Sequence, residues 1–306
     1  MIITTLFGGL GNQMFHYAIA RGFYESKQQS FFLDTFHLQD EEEDIEKIIQ
    51  RPFALDIFTN LKAKVADQNV IRLLHGDSIA DKIKRKLFFL SCTTIRQTLM
   101  ERVTLPTPDS VKKNLLLVGN FQSETYFKNF RQQLLYDYEF PTLDAANQEL
   151  KKRIEATPNS VSIHVRRGDY LSSSNRKIFT SVNINYYLEA IDIVKKQLQQ
   201  NNLNAFVFTD DTDWVKNRFP KDNELTITYV SGNTSKNSWK DMALMIDCKH
   251  HIIANSSFSW WGAWLSANTG ITIAPKHWYL PNSYAFDIND IIPKNWIIAD
   301  YKLEHL

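Results

Sequence analysis

Two stretches of this sequence place cationic or hydroxyl side chains at the end of an apolar run. In the first, Val161, Ile163 and Val165 interleave with Ser162, His164 and Arg166, and the run breaks at Gly168-Asp169. Period two predicts a short strand whose exit carries His164 and Arg166 on one face. In the second, Asn255-Ser256-Ser257 separates an apolar run from helical spacing that begins near Phe258. A guanidinium at a strand exit suits a phosphate, because arginine keeps its charge and donates two parallel hydrogen bonds. A helix start adds free backbone N–H groups and a positive dipole end, and serine hydroxyls add donors. With Arg166 or Arg167 opposite, such a helix end makes a diphosphate clamp without a metal. The same residues also suit plainer uses: an Arg-Asp pair closing a turn, and N-capping by Ser257, which is compatible with phosphate binding.

Three further groups could do chemistry. Asp210, Asp211 and Asp213 invite a hard cation, although Thr209-Asp210 before a helix is equally a cap. Asp241 follows Ser238 at capping-box spacing; turned inward instead, its carboxylate could accept two N–H bonds from a guanine edge. Gly8-Gly9-Leu10-Gly11-Asn12-Gln13 follows the apolar run Ile2 to Phe7 and precedes Met14, Phe15, Tyr17, Ala18 and Phe23 at helical spacing, with Asn12 as N-cap. This is a cleft-lining loop or a tight turn that needs glycine for its backbone alone. Met14 stands where a dinucleotide fingerprint needs a third small residue, so that motif is excluded.

The elements that must hold these groups alternate. In the second half, strands are predicted at 160–165, 204–209, 225–230, 250–254 and 271–274, with helices at 185–200, 212–219, 239–247 and 258–267 between them. Such alternation implies a parallel sheet with helices on both faces, whose ligands sit at the carboxyl ends of the strands. In the first half, strands are predicted at 2–7, 31–34 and 115–119, a helix over 77–90, and a Tyr- and Phe-rich helix after Asn120-Phe121-Gln122-Ser123-Glu124. Residues 40–46, with six acids among seven, read as a solvated helix start or loop. A polar helix bounded by Pro141 and Pro158 marks the junction, giving domains 1–153 and 154–306. All seven tryptophans lie in the second half; Trp261 and Trp264, three apart, are expected in the core.

At 306 residues, 43% hydrophobic, 23% charged and net charge +1, the chain is an ordinary globular protein with no general attraction to nucleic acid. Cys92 and Cys248 lie in no ligand or disulfide spacing, which points to a reducing cytoplasm. Met1 to Phe7 lacks the basic flank of a signal peptide, and no apolar run reaches the ~20 residues of a membrane span. The segment 77–90 joins Lys82, Lys84, Arg85 and Lys86 to Leu87, Phe88, Phe89 and Leu90. It is a core-facing helix with a charged outside, or one that touches a partner or a membrane surface, peripherally at the inner face.

Four stretches together resemble the motifs of the bacterial α-1,2-fucosyltransferases of glycosyltransferase family 11, the type without a membrane anchor. They are Gly8-Gly9-Leu10-Gly11-Asn12-Gln13-Met14-Phe15, His164-Val165-Arg166-Arg167-Gly168-Asp169, Phe208-Thr209-Asp210-Asp211 and Asn255-Ser256-Ser257-Phe258-Ser259-Trp260-Trp261-Gly262. His-x-Arg-Arg alone is shared with α-1,6- and protein O-fucosyltransferases. The resemblance implies an α/β fold of GT-B type, two Rossmann-like domains facing across a cleft. The first takes the acceptor and the second GDP-fucose, with the last ~15 residues packing back on the first. It also implies Arg166 on the β-phosphate, His164 and Asp241 on guanine, Ser256, Ser257 and Phe258 on phosphates and base, and no metal or other cofactor. Gly9, Asn12, Arg167 and Asn255 complete the substrate-binding candidates.

The reaction so implied is an inverting transfer of L-fucose from GDP-fucose to the 2-hydroxyl of a terminal β-galactoside, in surface polysaccharide or oligosaccharide synthesis. Its transition state is oxocarbenium-like, so stabilising the departing diphosphate outweighs nucleophile strength. For a general base, Asp169 is nearest the motif but could equally hold Arg166 or Arg167, while His16, Glu124 and Asp34 are candidates from the first domain. Fucosyl transfer of other regiochemistry, α-1,6 or α-1,3, is the alternative, as is a sugar- or nucleotide-binding protein that transfers nothing.

Overall fold

The computed structural model describes residues 1–38, 43–45, 48–97, 103–168, 182–220, 224–280 and 287–302, with backbone alone at 43–45 and 48–50. The chain divides into two compact units, Met1–Pro141 with Ala285–Ile291, and Thr142–Tyr284 with Ile292–Leu306.

In the first unit, β1 (Ile2–Thr5) runs through a glycine turn into α1 (Leu10–Lys27). There follow β2 (Phe31–Asp34), the short antiparallel pair β3 (Glu43–Ile45) and β4 (Ile48–Gln50), then β5 (Lys64–Val65). Next come α2 (Gln68–His75), α3 (Ile79–Leu90), β6 (Cys92–Arg96), β7 (Asn114–Val118) and α4 (Arg131–Asp137). Five strands form a parallel sheet in the order β5-β2-β1-β7-β6. The centre is apolar on both faces: Ile2, Ile3, Met14, Tyr17, Ala18 and Leu117 are fully buried. Caps delimit the helices, Asp67 accepting from Asn69 and Val70 at α2, and Ser78 from Asp81 at α3.

The acidic run differs from its expected form, since Glu43–Ile45 is strand, closed by the β-branched Ile48 and Ile49. The helix expected after Glu124 is delayed by two 3-10 turns, Glu124–Tyr126 and Lys128–Phe130, and begins only at Arg131.

In the second unit, α5 (Ala145–Ala156) precedes β8 (Val161–Val165), α6 (Ile184–Leu198), β9 (Leu203–Thr209), α7 (Thr212–Arg218) and β10 (Leu225–Val230). After them come α8 (Trp239–Asp247), β11 (His250–Ile252), α9 (Ser257–Trp264) and β12 (Thr272–Pro275). The short α10 (Ile288–Ile291) is assigned to the first unit, and β13 (Ile297–Ala299) closes the second. The sheet is parallel throughout, in the order β10-β9-β8-β11-β12-β13. Relative to chain order this is 3-2-1-4-5-6, the order of a doubly wound nucleotide-binding sheet, and its direction reverses between β8 and β11.

All of β8 is buried, Ser162 and His164 included, because helices cover both faces of the parallel sheet. Helix α5, expected to be cut by a boundary after residue 153, lies wholly in the second unit, where Lys151 pairs with Asp247 of α8 at 2.9 Å. Ile297–Ala299, near the end of the chain, is the edge strand beside β12. Trp260, Trp261 and Trp264 fill the core as expected, with Trp260 and Trp264 stacked at 5.9 Å.

Candidate functional site

The reversal in the second sheet puts the exits of β8 and β11 side by side. Register aligns Ile163 with Ile252 and Val165 with Thr209. Carried onward, it sets Arg166 beside Asp210 on one flank and level with Asn255 on the other. His164 and Phe258 bridge the two exits, their rings 5.7 Å apart. Two adjacent tyrosines of α6 fasten both strands from below. Tyr187 donates to the His164 carbonyl at 3.1 Å, and the Tyr186 hydroxyl lies 2.6 Å from the carbonyl of Ile253.

Asp210 is the hub of the arginine loop. Its carboxylate accepts from the backbone N–H groups of Arg167 (2.9 Å) and Gly168 (3.1 Å), and pairs with Arg166 Nη1 at 3.0 Å. The two arginines are held differently. Arg167 is clamped, its Nε 3.1 Å from Asp211 and its guanidinium 4.3 Å above the Trp214 ring. Arg166 pairs with Asp210 and keeps 31% of its side chain exposed, against 16% for Arg167. Arg166 is therefore the better placed to meet an anion, with Asp210 orienting it. Asp211, not Asp210, caps α7 by accepting from Trp214 N–H at 3.0 Å. Asp210 thus turns from metal or cap candidate into a positioning carboxylate. Among the described residues, no group of three His, Cys, Asp or Glu side chains is arranged to hold a metal ion.

His164 is 7% exposed and its Nδ1 has no hydrogen-bond partner. Burial, reinforced by Arg166, lowers its pKa to about 3, so the ring is neutral at ordinary pH. A neutral imidazole with an unpaired buried nitrogen offers one directed hydrogen bond to a ligand.

At the second exit, the N-cap of α9 is Ser256, whose hydroxyl accepts from Phe258 N–H at 3.3 Å. The expected cap, Ser257, is one residue too far along and is the first helical residue. Ser257 and Phe258 stay partly exposed, whereas Asn255 is buried and donates to the Trp278 carbonyl at 2.9 Å. The first turn of α9 thus follows the strand that pairs with β8, at the exit beside that of the Arg166 loop.

Asp241 lies in the first turn of α8 but forms no capping box, because Ser238 already has helical dihedrals and its side chain caps nothing. Instead its Oδ1 accepts from Asn233 Nδ2 at 2.8 Å, and Asn233 is held by reciprocal amide bonds to Asn147 of α5 at 2.8 and 3.1 Å. Burial raises the Asp241 carboxyl to about 6, against the lowering effect of Asn233. Asn147 was missed in the sequence, since it lies in no motif and reaches Asn233, in the loop after β10, only in the folded unit.

The first unit has its own strand exits. Gly8 takes φ +70, and a Cβ there would run into Asn12. Gly9 has an ordinary φ of −78 and open space where a Cβ would stand. Helix α1 starts at Leu10 with Gly9 as N-cap, one turn before the expected Asn12, whose Oδ1 accepts from Gln122 at 3.0 Å. Of the candidate bases here, His16 and Asp34 are both fully buried. His16 has no hydrogen-bond partner on either ring nitrogen and is held neutral by burial, with a pKa of about 3. Asp34 is taken up by Thr5 Oγ1 at 3.2 Å and His75 Nε2 at 2.9 Å. Glu124 is partly exposed in its 3-10 turn. Asp169 lies outside the described residues.

Comparison with known proteins fits this geometry. The model of glycosyl transferase family 11 matches residues 1–300. An α-1,2-colitosyltransferase of Escherichia coli is 32% identical over 305 residues, covering 97% of this chain and 98% of that protein. The O-antigen biosynthesis glycosyltransferase WbnK of Escherichia coli is 30% identical over 295 residues, covering 91% and 95%. Among solved structures, Arabidopsis thaliana FUT1 in complex with GDP shares the fold, with a TM-score of 0.51 and 11% identity over 89% of this chain and 69% of that one.

Proposed function

Because the chain belongs to glycosyltransferase family 11, whose model spans nearly its whole length, we propose that it transfers L-fucose from GDP-fucose to the 2-hydroxyl of a terminal β-galactoside, with inversion. The observation that carries this is the pairing of the Asp210-oriented guanidinium of Arg166 with the start of α9 at adjacent strand exits. Both groups meet negative charge as it builds on the departing diphosphate. His164 and Asp241 take the guanine: a neutral ring offers one bond, and an ionised carboxylate accepts two N–H groups from the base edge. Ser256, Ser257 and Phe258 hold phosphates and base, Asn255 fixes their turn, and Arg167 fixes the loop. On the first unit, Gly9 and Asn12 are assigned to substrate. Asp169 is the proposed base.

In this scheme Arg166 and the helix end do the work of a divalent ion, so turnover should survive EDTA. An α-1,2 linkage is supported by the name of the colitosyltransferase relative, and synthesis of a surface polysaccharide by that of WbnK. The cytoplasm is the proposed compartment, where the buried, unpaired thiols of Cys92 and Cys248 persist. The test is GDP release from GDP-fucose with and without lactose, followed by NMR of the product linkage. Release that ignores the acceptor would favour a binding protein, and a linkage other than α-1,2 would move the regiochemistry.

The colitosyltransferase relative favours one second reading, in which the donor sugar is colitose, which lacks the 3-hydroxyl of fucose. A site built to bond that hydroxyl rejects the deoxy sugar strongly, whereas an apolar one accepts both. Turnover of the two GDP-sugars in competition separates these readings.

A further inference from the structure

The first unit carries a surface that the proposed transfer does not use. On α3, Ile79 is 80% exposed, Ile83 56%, Leu87 61% and Leu90 70%; among the described residues, this one helix supplies half of the large apolar side chains that stand in solvent. At about 100° per residue these four fall within an arc of about 80°. The helix is already docked by its opposite side, where Phe88 and Phe89 pack against Ile3, Val70 and Leu116. The stripe is thus an outer face, and the expected arrangement of a charged outside is only partly met.

Cations border it. Lys82 and Lys86 project on one flank and Lys84 on the other, all exposed. Lys112 adds a fourth at the far end, its Nζ 3.2 Å from the Leu90 carbonyl. Arg85 is turned inward to the carbonyls of Leu74 and Gly76, and the acid Asp81 is engaged by the Ser78 hydroxyl. A face built for another protein is depleted in lysine relative to the rest of the surface. Lysines framing an aliphatic stripe match the boundary of a bilayer, where their stems lie along acyl chains and their heads reach phosphate. On these grounds we propose that α3 lies in the plane of an anionic lipid surface, with Ile79, Ile83, Leu87 and Leu90 entering the acyl layer and Lys82, Lys84 and Lys86 meeting head-group phosphates. No helix among the described residues is long and apolar enough to cross a membrane, so the contact is peripheral.

The test uses the full chain with vesicles of phosphatidylcholine alone or mixed with phosphatidylglycerol, read by co-sedimentation, without any donor sugar. Expected is binding to the anionic vesicles at least ~10-fold above the neutral ones at low salt, falling as salt rises. Ile83→Glu with Leu87→Glu should lower it at least ~10-fold with an unchanged melting temperature, and Lys82→Ser with Lys84→Ser and Lys86→Ser should erase the anionic preference. Failure of the parent to sediment with anionic vesicles overturns the proposal, as does undiminished binding by the Ile83→Glu, Leu87→Glu variant. So does a dimer in sedimentation velocity that this variant breaks while no vesicle is bound, because the stripe would then be covered by a second copy.

Discussion

The two units share a plan, a parallel sheet whose direction reverses beside its first strand, yet their strand exits are furnished differently. In the second, charged groups are exposed in part and their neighbours are spent on aiming them: Asp210 and two backbone N–H groups set the Arg166 loop, and Asn233 sets Asp241. In the first, the ionisable groups near the exits are turned inward, as with Asp34 on Thr5 and His75, and what faces outward is a glycine turn. Under the proposed function the difference teaches where each unit's selectivity would lie. The unit that fixes charge would take the leaving group of constant chemistry, and the one that offers space and backbone would take acceptors of varied shape.

Arg166→Ala is the hardest test of that contrast. Turnover of GDP-fucose should fall about 10²–10³-fold with the melting temperature nearly unchanged. A rate within a few-fold of the parent would end the assignment.

Acid should separate the units next. His164 and His251 in the second unit, and His16 in the first, are held neutral by burial with pKa values of about 3, whereas unfolded they would titrate near 6.5. Stability is therefore full above about pH 6.5 and is lost as pH falls toward 3, by about 2 kcal/mol per histidine between pH 6.5 and 5. Hydrogen exchange at both pH values should show the second unit losing more than the first, by less than twofold because protonation of Asp241 stabilises it over the same range. Equal losses would remove the asymmetry.

Asp241 titrates in the opposite sense. Its raised pKa means that ionisation opposes folding, so stability is lost as pH climbs from about 4 to about 6. Asp241→Asn should gain on the order of 1 kcal/mol at pH 7 and nothing at pH 4 in thermal melts, the partial exposure of the group limiting the gain. GDP should bind the parent better at pH 7 than at pH 5, and bind the variant about 10-fold more weakly at pH 7 with no such rise.

The smallest effect falls on the first unit. Gly8→Ala forces a side chain into φ +70 and against Asn12, and should cost about 1 kcal/mol of stability. The same change at Gly9, where φ is ordinary and space is open, should leave stability alone and affect acceptor KM instead.

Legibility in the sequence followed how local each cause was. Strand β10 and helix α8 were readable to the residue, because period and flanking turns are adjacent in the chain. In the first unit β5, α2 and β6 escaped: β5 is a two-residue edge strand, and β6 shows a mixed burial pattern without clean alternation. At the candidate site, Arg166, His164 and the serine motif were legible as side chains on strand exits. The assignment of Asp210 to orientation and Asp211 to capping was not, because it depends on which of two neighbouring carboxylates the adjacent strand's loop reaches. The tyrosines beneath the site were unreadable for the same reason, since Tyr186 and Tyr187 look like any aromatic pair in a helix.

Those tyrosines have a mechanical result. Neighbours on a single helical turn, they tie down the backbone at His164 and at Ile253, so the arginine loop and the serine turn rest on one foundation. Jostling that displaces α6 carries both along in concert, and the span between the two anchor points keeps its width while the surroundings breathe.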